Sequence, residues 1–225
     1  MKNKILIILV ISIIAASRCY GQHYIGVRGG GGGGNVRFKP TQETALYMIT
    51  PLAGISYKYH GGDKFFGGIE IDLSVQQKGY KVLPRPKSDS SYIRTITSIE
   101  LPFLWQPHIN MFKKRARFFL NAGPYVSYNL SSKEKFITKE LGEVYNREYK
   151  LDPERDNRME YGLTFGAGYG VTIAKRIDVQ AEFRYNFGLS DILKNHTKYP
   201  TNPNESPIDF LSVSIGVYYK FGKDK

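Results

Sequence analysis

Between residues 177 and 190 the chain reads IDVQAEFRYNFGLS, and its apolar residues fall on every second position. Ile177, Val179, Ala181, Phe183, Tyr185, Phe187 and Leu189 share one parity, while Asp178, Gln180, Glu182, Arg184, Asn186, Gly188 and Ser190 share the other. Extended strand is the conformation that throws alternate side chains to opposite faces, so this is a strand with one greasy and one charged face. It is also long, since strands in globular proteins run to about five or six residues. The same alternation recurs at 161 to 173 and 211 to 221, and more weakly at 69 to 75, 93 to 105 and 118 to 130. Adding 23 to 38 and 51 to 60 gives eight strands.

The connections alternate in length. Short turns fall at 61 to 64, 110 to 115 and 174 to 176, and longer polar ones at 39 to 50, 82 to 91, 133 to 157 and 191 to 207. An even strand count with short turns at one end and long loops at the other is the layout of an outer-membrane barrel. The expected fold is therefore all-β: an eight-stranded antiparallel up-and-down transmembrane β-barrel, with both termini facing the periplasm. Aromatic girdles are expected at both interfaces. Tyr57, Tyr59, Phe65, Trp105, Phe118 and Phe221 are placed on the periplasmic side, and Tyr92, Tyr128, Tyr161 and Phe187 on the other.

The N-terminus fits an exported protein. Lys2 and Lys4 precede ILIILVISIIAA, a run too short for a spanning helix of about 20 residues but suited to a signal-peptide core. Cys19 and Gly21 are small residues placed for cleavage before Gln22, and Arg18 directly before Cys19 disfavours a lipoprotein. The division is thus a signal peptide at 1 to 21 and a barrel domain at 22 to 225. Losing Lys2, Lys4 and Arg18 takes the 32 basic residues to 29 against 20 acidic, a net charge of +9. The one cysteine goes too, which leaves neither disulfides nor thiol chemistry.

A soluble eight-stranded barrel with a lipid pocket, lying in the periplasm, is the alternative fold. Its apolar residues would point inward, and the charged faces would point to water. The polar faces here hold Arg28, Lys58, Arg94, Arg184 and Lys220 together with Glu70, Asp72, Glu100, Asp178 and Glu182. Five charges of each sign cannot line an apolar pocket without heavy desolvation, whereas a narrow barrel filled by side chains can pair them. These ten residues are expected to be structural lumen charges.

The run VRGGGGGGNVRF at 27 to 38 lacks the Lys and Ser/Thr that complete a phosphate loop, and a G-x-G-x-x-G match is automatic in any glycine run. Strand-like residues flank it on both sides. It is read as the upper half of the first strand, where absent side chains permit curvature or let neighbouring aromatics cover the backbone. Gly166, Gly168 and Gly170 on an inward face would make room for bulky interior residues.

Several blocks carry a more specific likeness. IELPFL at 99 to 104, NAGPYVSY at 121 to 128 and EFRYNFGLSDI at 182 to 192 resemble the PorT-like outer-membrane β-barrel family of the Bacteroidetes. The glycine run departs from that family, which has one or two glycines there. The resemblance implies an eight-stranded barrel in the cell outer membrane with no known catalytic residues. The family's namesake is implicated in a secretion system that exports proteases, and most members have no assigned role. The last strand ends on an aromatic, Phe221, with GKDK trailing behind it.

Enzymatic signals are weak. The four histidines, His23, His60, His108 and His196, form no H-x-x-x-H and have no carboxylate at ligand spacing, so neither a metal nor a cofactor is expected. His196 with Ser190 and Asp191 is the one conceivable hydrolase trio, at the long-loop rim. Lys113, Lys114, Arg115 and Arg117 at a short turn are read as facing anionic headgroups or solvent rather than nucleic acid. The loop at 133 to 157 mixes both signs of charge, as a solvated loop or a hairpin extension would. The expected partners are outer-membrane lipids and lipopolysaccharide, with secretion or envelope proteins as candidates and no nucleic acid. The function expected is that of a small, closed, non-enzymatic barrel acting through exposed loops, by its presence in the membrane, or by docking to envelope machinery; the alternatives are an embedded outer-membrane hydrolase and the soluble barrel above.

Overall fold

The structure, a computed structural model, describes residues 21–61, 67–83, 90–112, 115–138, 144–195, 197–198 and 200–221. The signal-peptide core, Phe65, Lys113, Lys114, His196 and the GKDK tail lie outside the described residues. The strands are β1 (Gln22–Val36), β2 (Thr44–His60), β3 (Gly68–Val82), β4 (Ser90–Trp105), β5 (His108–Met111), β6 (Ala116–Thr138), β7 (Val144–Tyr149), β8 (Met159–Ala174), β9 (Ile177–Gly188) and β10 (Ile208–Phe221). Eight of them close a ring in the order β1, β2, β3, β4, β6, β8, β9, β10 and back to β1, every neighbouring pair antiparallel. The other two are accessories. β5 takes up the pairing with β6 just past the point where β4 leaves it at Gln106 and Pro107, and β7 is a hairpin partner of the upper part of β6.

Polarity runs inside out relative to a soluble protein. Along β10, Ile215 is 61% exposed while its neighbour Ser214 is 4% exposed, and the same contrast follows the parity of the strands round the ring. Ile25, Ile55, Leu73, Phe103, Leu120, Phe165 and Phe183 all point outward. Arg28, Lys58, Glu70, Asp72, Glu100, Glu182 and Arg184 are buried within. Charges on the inner face and aliphatics on the outer are what a hydrocarbon solvent selects.

The outward aromatics include Trp105, Phe118 and Phe221 near the short-turn end, and Tyr128 and Tyr161 near the other. Tyr92 departs from expectation. It shares the parity of Arg94, so it faces inward, donating from its hydroxyl to Glu134 Oε1 at 2.9 Å and packing its ring 5.1 Å from that of Phe136. It belongs to the rim of the interior and not to the outer girdle.

Two expected loops are shorter than the alternation suggests. β2 begins at Thr44, and β6 runs to Thr138 before turning into β7. Alternation of polarity fades there because polar residues occupy both faces: along β6 above Leu130, Ser131 and Lys133 point outward while Ser132 and Glu134 stay buried within.

The glycine run lies within β1, paired residue by residue with β10. Gly30 faces inward, where a Cβ would sit 2.1 Å from the carbonyl oxygen of Val213; at outward-facing Gly31 the nearest atom would be 3.4 Å away. Farther up, β2 carries extra residues between Leu46 and Leu52, and the register of β1 shifts between Gly32 and Gly33. At that irregularity β1 meets β3 directly, and a Cβ on Gly34 would lie 2.5 Å from the carbonyl oxygen of Gly79. The inward glycines therefore serve close backbone approach.

Candidate functional site

The interior is filled by side chains in three tiers, each fixed by inward positions of facing strands. In the middle tier Arg184 of β9 spans the barrel. It donates to Glu70 at 2.8 Å, to Glu182 at 2.5 and 2.8 Å, and to Asp72. Lys58 reaches Glu70 at 3.0 Å and Gln180 at 2.7 Å, and Arg28 reaches Asp72 at 3.3 Å. Three cations face three carboxylates. Amides complete the net: Gln106 donates to Glu70 at 2.7 Å and to Asn121 at 2.8 Å, and Asn121 donates to Glu182. The Lys58 ammonium also lies 4.4 Å from the centre of the Tyr218 ring. Charges removed from water are tolerable only with this degree of pairing.

Above it, Lys78 bridges Glu100 at 3.1 Å and Glu160 at 3.0 Å, while Asn186 donates to Glu100 and Asn129 to Glu160. Below it, Arg117 contacts Asp178 at 3.3 Å, the Tyr24 hydroxyl at 2.8 Å and the His60 ring. Arg117 is buried, so it does not lie among the headgroups; it shares the inward parity of Phe119 and Asn121 on β6. Lys220 sits half-buried at the same end.

An apolar cluster of Val36, Tyr80, Ile96, Ile192 and Ile208 closes the long-loop mouth, with Phe38, Val82, Tyr92 and Leu193 packed against it. The loops at 150 to 158 and 189 to 207 are zipped over it by Asn157 N–H to Ile192 C=O at 3.0 Å, Lys194 N–H to Arg155 C=O at 2.9 Å, and the Asn202 amide, which donates to the carbonyls of both Arg155 and Lys194. Beside the cap Arg94 meets Asp156 at 3.1 Å and stacks 3.8 Å over the centre of the Tyr149 ring. Burial raises the pKa of the Tyr149 hydroxyl against the pull of Arg94, keeping it a donor to Asp156 at 2.8 Å.

No trio of hydrolase type assembles among the described residues. Ser190 Oγ accepts from Tyr161 N–H at 2.8 Å, and Asp191 accepts from Ser206 N–H at 2.5 Å, so both serve the loop. His23 lies against the Tyr57 hydroxyl at 2.8 Å, and His60 against Gln106 at 2.7 Å. No cluster of three His, Cys, Asp or Glu suited to a metal occurs among the described residues. Of the ten expected lumen charges, Glu100 partners Lys78, and Arg184 takes Asp72 as its third carboxylate. Sequence reasoning missed Lys78, Arg117, Glu160 and Asp156 as interior charges. Parity reaches Lys78 in the series Glu70, Asp72, Ser74, Gln76, and reaches Glu160 in the series Gly162, Thr164. Asp156 lies in a loop and had no such signal.

The chain matches the family model described as outer membrane protein beta-barrel domain over residues 20–194. A comparison with curated proteins finds no match. Among solved structures it is similar to the outer membrane protein OprG from Pseudomonas aeruginosa, at 10% identity and a TM-score of 0.48, over 91% of this chain and 98% of that one. Neisserial surface protein A is similar at 15% identity and a TM-score of 0.41, over 88% and 97%. Ail, the attachment invasion locus protein of Yersinia pestis, solved in complex with the heparin analogue sucrose octasulfate, is similar at 12% identity and a TM-score of 0.39, over 90% and 99%.

Proposed function

This chain belongs to the outer membrane protein beta-barrel domain family, and from that premise we propose that it is a closed, non-conducting and non-enzymatic outer-membrane barrel that works through its exposed long-loop end or by docking to envelope machinery. The observation that supports this most directly is the occupied interior: among the described residues, three tiers of paired, buried charges lie under an apolar cluster at the long-loop mouth. An eight-stranded barrel is just wide enough for such filling. A soluble lipid carrier would need the opposite polarity, since its ligand would meet Lys58, Glu70 and Arg184.

In this reading residues 1 to 21 are a cleaved signal peptide, both termini face the periplasm, and the ten charges from Arg28 to Lys220 named above are structural. Lipopolysaccharide and lipid surround the outward aliphatics. The PorT-like resemblance adds a secretion or envelope complex as the candidate partner. Planar-bilayer recording of the purified monomer tests the reading: no stable conductance is expected, and reproducible porin-sized steps would overturn it.

A further inference from the structure

Above the ring, β6 changes neighbours. It pairs with β8 as far as Tyr128↔Met159, and from Ser132↔Tyr149 upward it pairs with β7 instead. β4 stays on its other side up to Ser90↔Thr138. β3 stays beside β4 up to Val82↔Tyr92, so the upper parts of these strands form a blade that continues one wall of the ring, and β7 is its last strand. Among the described residues no strand pairs with the far side of β7, and no loop backbone bonds to it.

Natural edge strands are blunted by shortness, charged side chains, above all lysine, proline, bulges or cover, and of these β7 has only the charges of Arg147 and Glu148 on a strand of six residues. β7, with the sequence VYNREY, has no lysine or proline and pairs with β6 without a register shift. Its residues from Val144 to Glu148 are all exposed. One face of β7 offers Tyr145, 63% exposed, beside Phe136, and Arg147, whose side chain is 63% exposed with Glu134 3.4 Å away.

We propose that the free edge of β7 is a docking site for an extended segment of another protein, added as an antiparallel strand, with an acidic side chain opposite Arg147 and an apolar one opposite Tyr145. An exposed row of edge N–H and C=O groups bonds to water, and an added strand replaces that water with a full ladder. The acid is called for by Arg147, whose side chain stays 63% exposed beside Glu134 at 3.4 Å and has guanidinium donors left for a second carboxylate. A second copy in the same membrane is a poor occupant, because rotation about the membrane normal leaves its β7 running the same way.

The inference rests on the long-loop end being the exposed one, which a separate experiment decides. The single cysteine, Cys19, lies in the expected signal peptide, so Asn146→Cys supplies a unique thiol. Labelling of intact cells by a membrane-impermeant maleimide is expected; absence of labelling, with labelling restored on lysis, would overturn the orientation and the docking site with it. The docking itself is read by titrating the detergent-solubilised full barrel with a blocked nonapeptide of alternating threonine and valine or tyrosine with one central glutamate. Saturable binding is expected. Arg147→Glu should weaken it about tenfold, one attraction lost and one repulsion gained across an exposed strand pair, and should favour the peptide with lysine in place of glutamate. Methylating every peptide amide nitrogen should abolish binding. No binding to a labelled, correctly folded barrel, equal binding by Arg147→Glu, or unchanged binding of the methylated peptide would each overturn the docking site while leaving the closed barrel intact.

Discussion

Replacing Arg184 by methionine removes the one side chain that touches all three carboxylates of the middle tier. Glu70, Asp72 and Glu182 would then face only Lys58 and Arg28, leaving one negative charge uncompensated in a site without solvent. Breaking a buried ion pair from one side costs about 3–5 kcal/mol, because the abandoned charge stays buried. Adding Glu182→Gln restores neutrality and keeps an amide oxygen for Asn121, so the double variant should recover about 1–3 kcal/mol, the coupling of contacting residues. Urea unfolding from lipid vesicles, followed by the fluorescence of Trp105, the chain's single tryptophan, measures all three proteins. A loss below about 1 kcal/mol for Arg184→Met, the scale of a surface pair, would refute the network's burial. So would a double variant less stable than the single one.

Phe183 is the next residue along β9 and points the other way, so Phe183→Arg should cost about 2–4 kcal/mol near the midplane and impair insertion, and a harmless outcome in the same assay would mean the strand's faces are reversed. Gly30→Ala forces a methyl onto a strand carbonyl and should cost about 1–3 kcal/mol, whereas Gly31→Ala should be nearly neutral; equal effects would refute the inward parity of Gly30. Ile208→Ala should cost about 2–5 kcal/mol and speed amide exchange in the loops over the cap before the ring strands, and uniform acceleration would count against a separate cap. Tyr149 has a raised pKa when folded, so its contribution is fully present below the ordinary tyrosine value of 10.0 and falls as pH rises past it; Tyr149→Phe should lose stability less steeply there than the parent protein.

The eight ring strands were legible because a membrane barrel writes its two solvents into the sequence at period two. The record fades where the outward positions turn polar: on β6 above Leu130 they are Ser131, Lys133 and Lys135 while Ser132 and Glu134 stay buried, so the two faces no longer differ in polarity and the segment reads as a loop. Tyr92 was misplaced for a related reason, since an aromatic near a strand end suits either the girdle or the rim of the interior, and only the parity shared with Arg94 separates the two. Interior charges were legible one strand at a time, as members of a face. Their partners were not, because Arg184 meets Asp72 across 112 residues of sequence through a barrel whose stagger no single strand records. The loop residue Asp156 enters the interior from outside any alternation, so nothing in its neighbourhood announced it.

That division also says what the charges do. The outer face is close to interchangeable along its length: Val213, Ile215 and Val217 would meet lipid equally well if β10 slid by two residues against β9. A slide of one residue reverses the faces and is costly, but a slide of two preserves them, so hydrocarbon cannot tell the native register from that neighbour. The interior can. Sliding β9 by two positions would carry Arg184 to the level of Glu182 or Asn186, take Glu182 along with it, and leave the two buried carboxylates of β3, Glu70 and Asp72, with only Lys58 and Arg28. Buried ion pairs are weak sources of net stability compared with apolar packing, yet they penalise every misaligned alternative heavily. The network therefore acts chiefly as the register key of a barrel whose outer surface lacks one, and the inward glycines of β1 set the close approach at the irregular corner where β2 loses its pairing with β3.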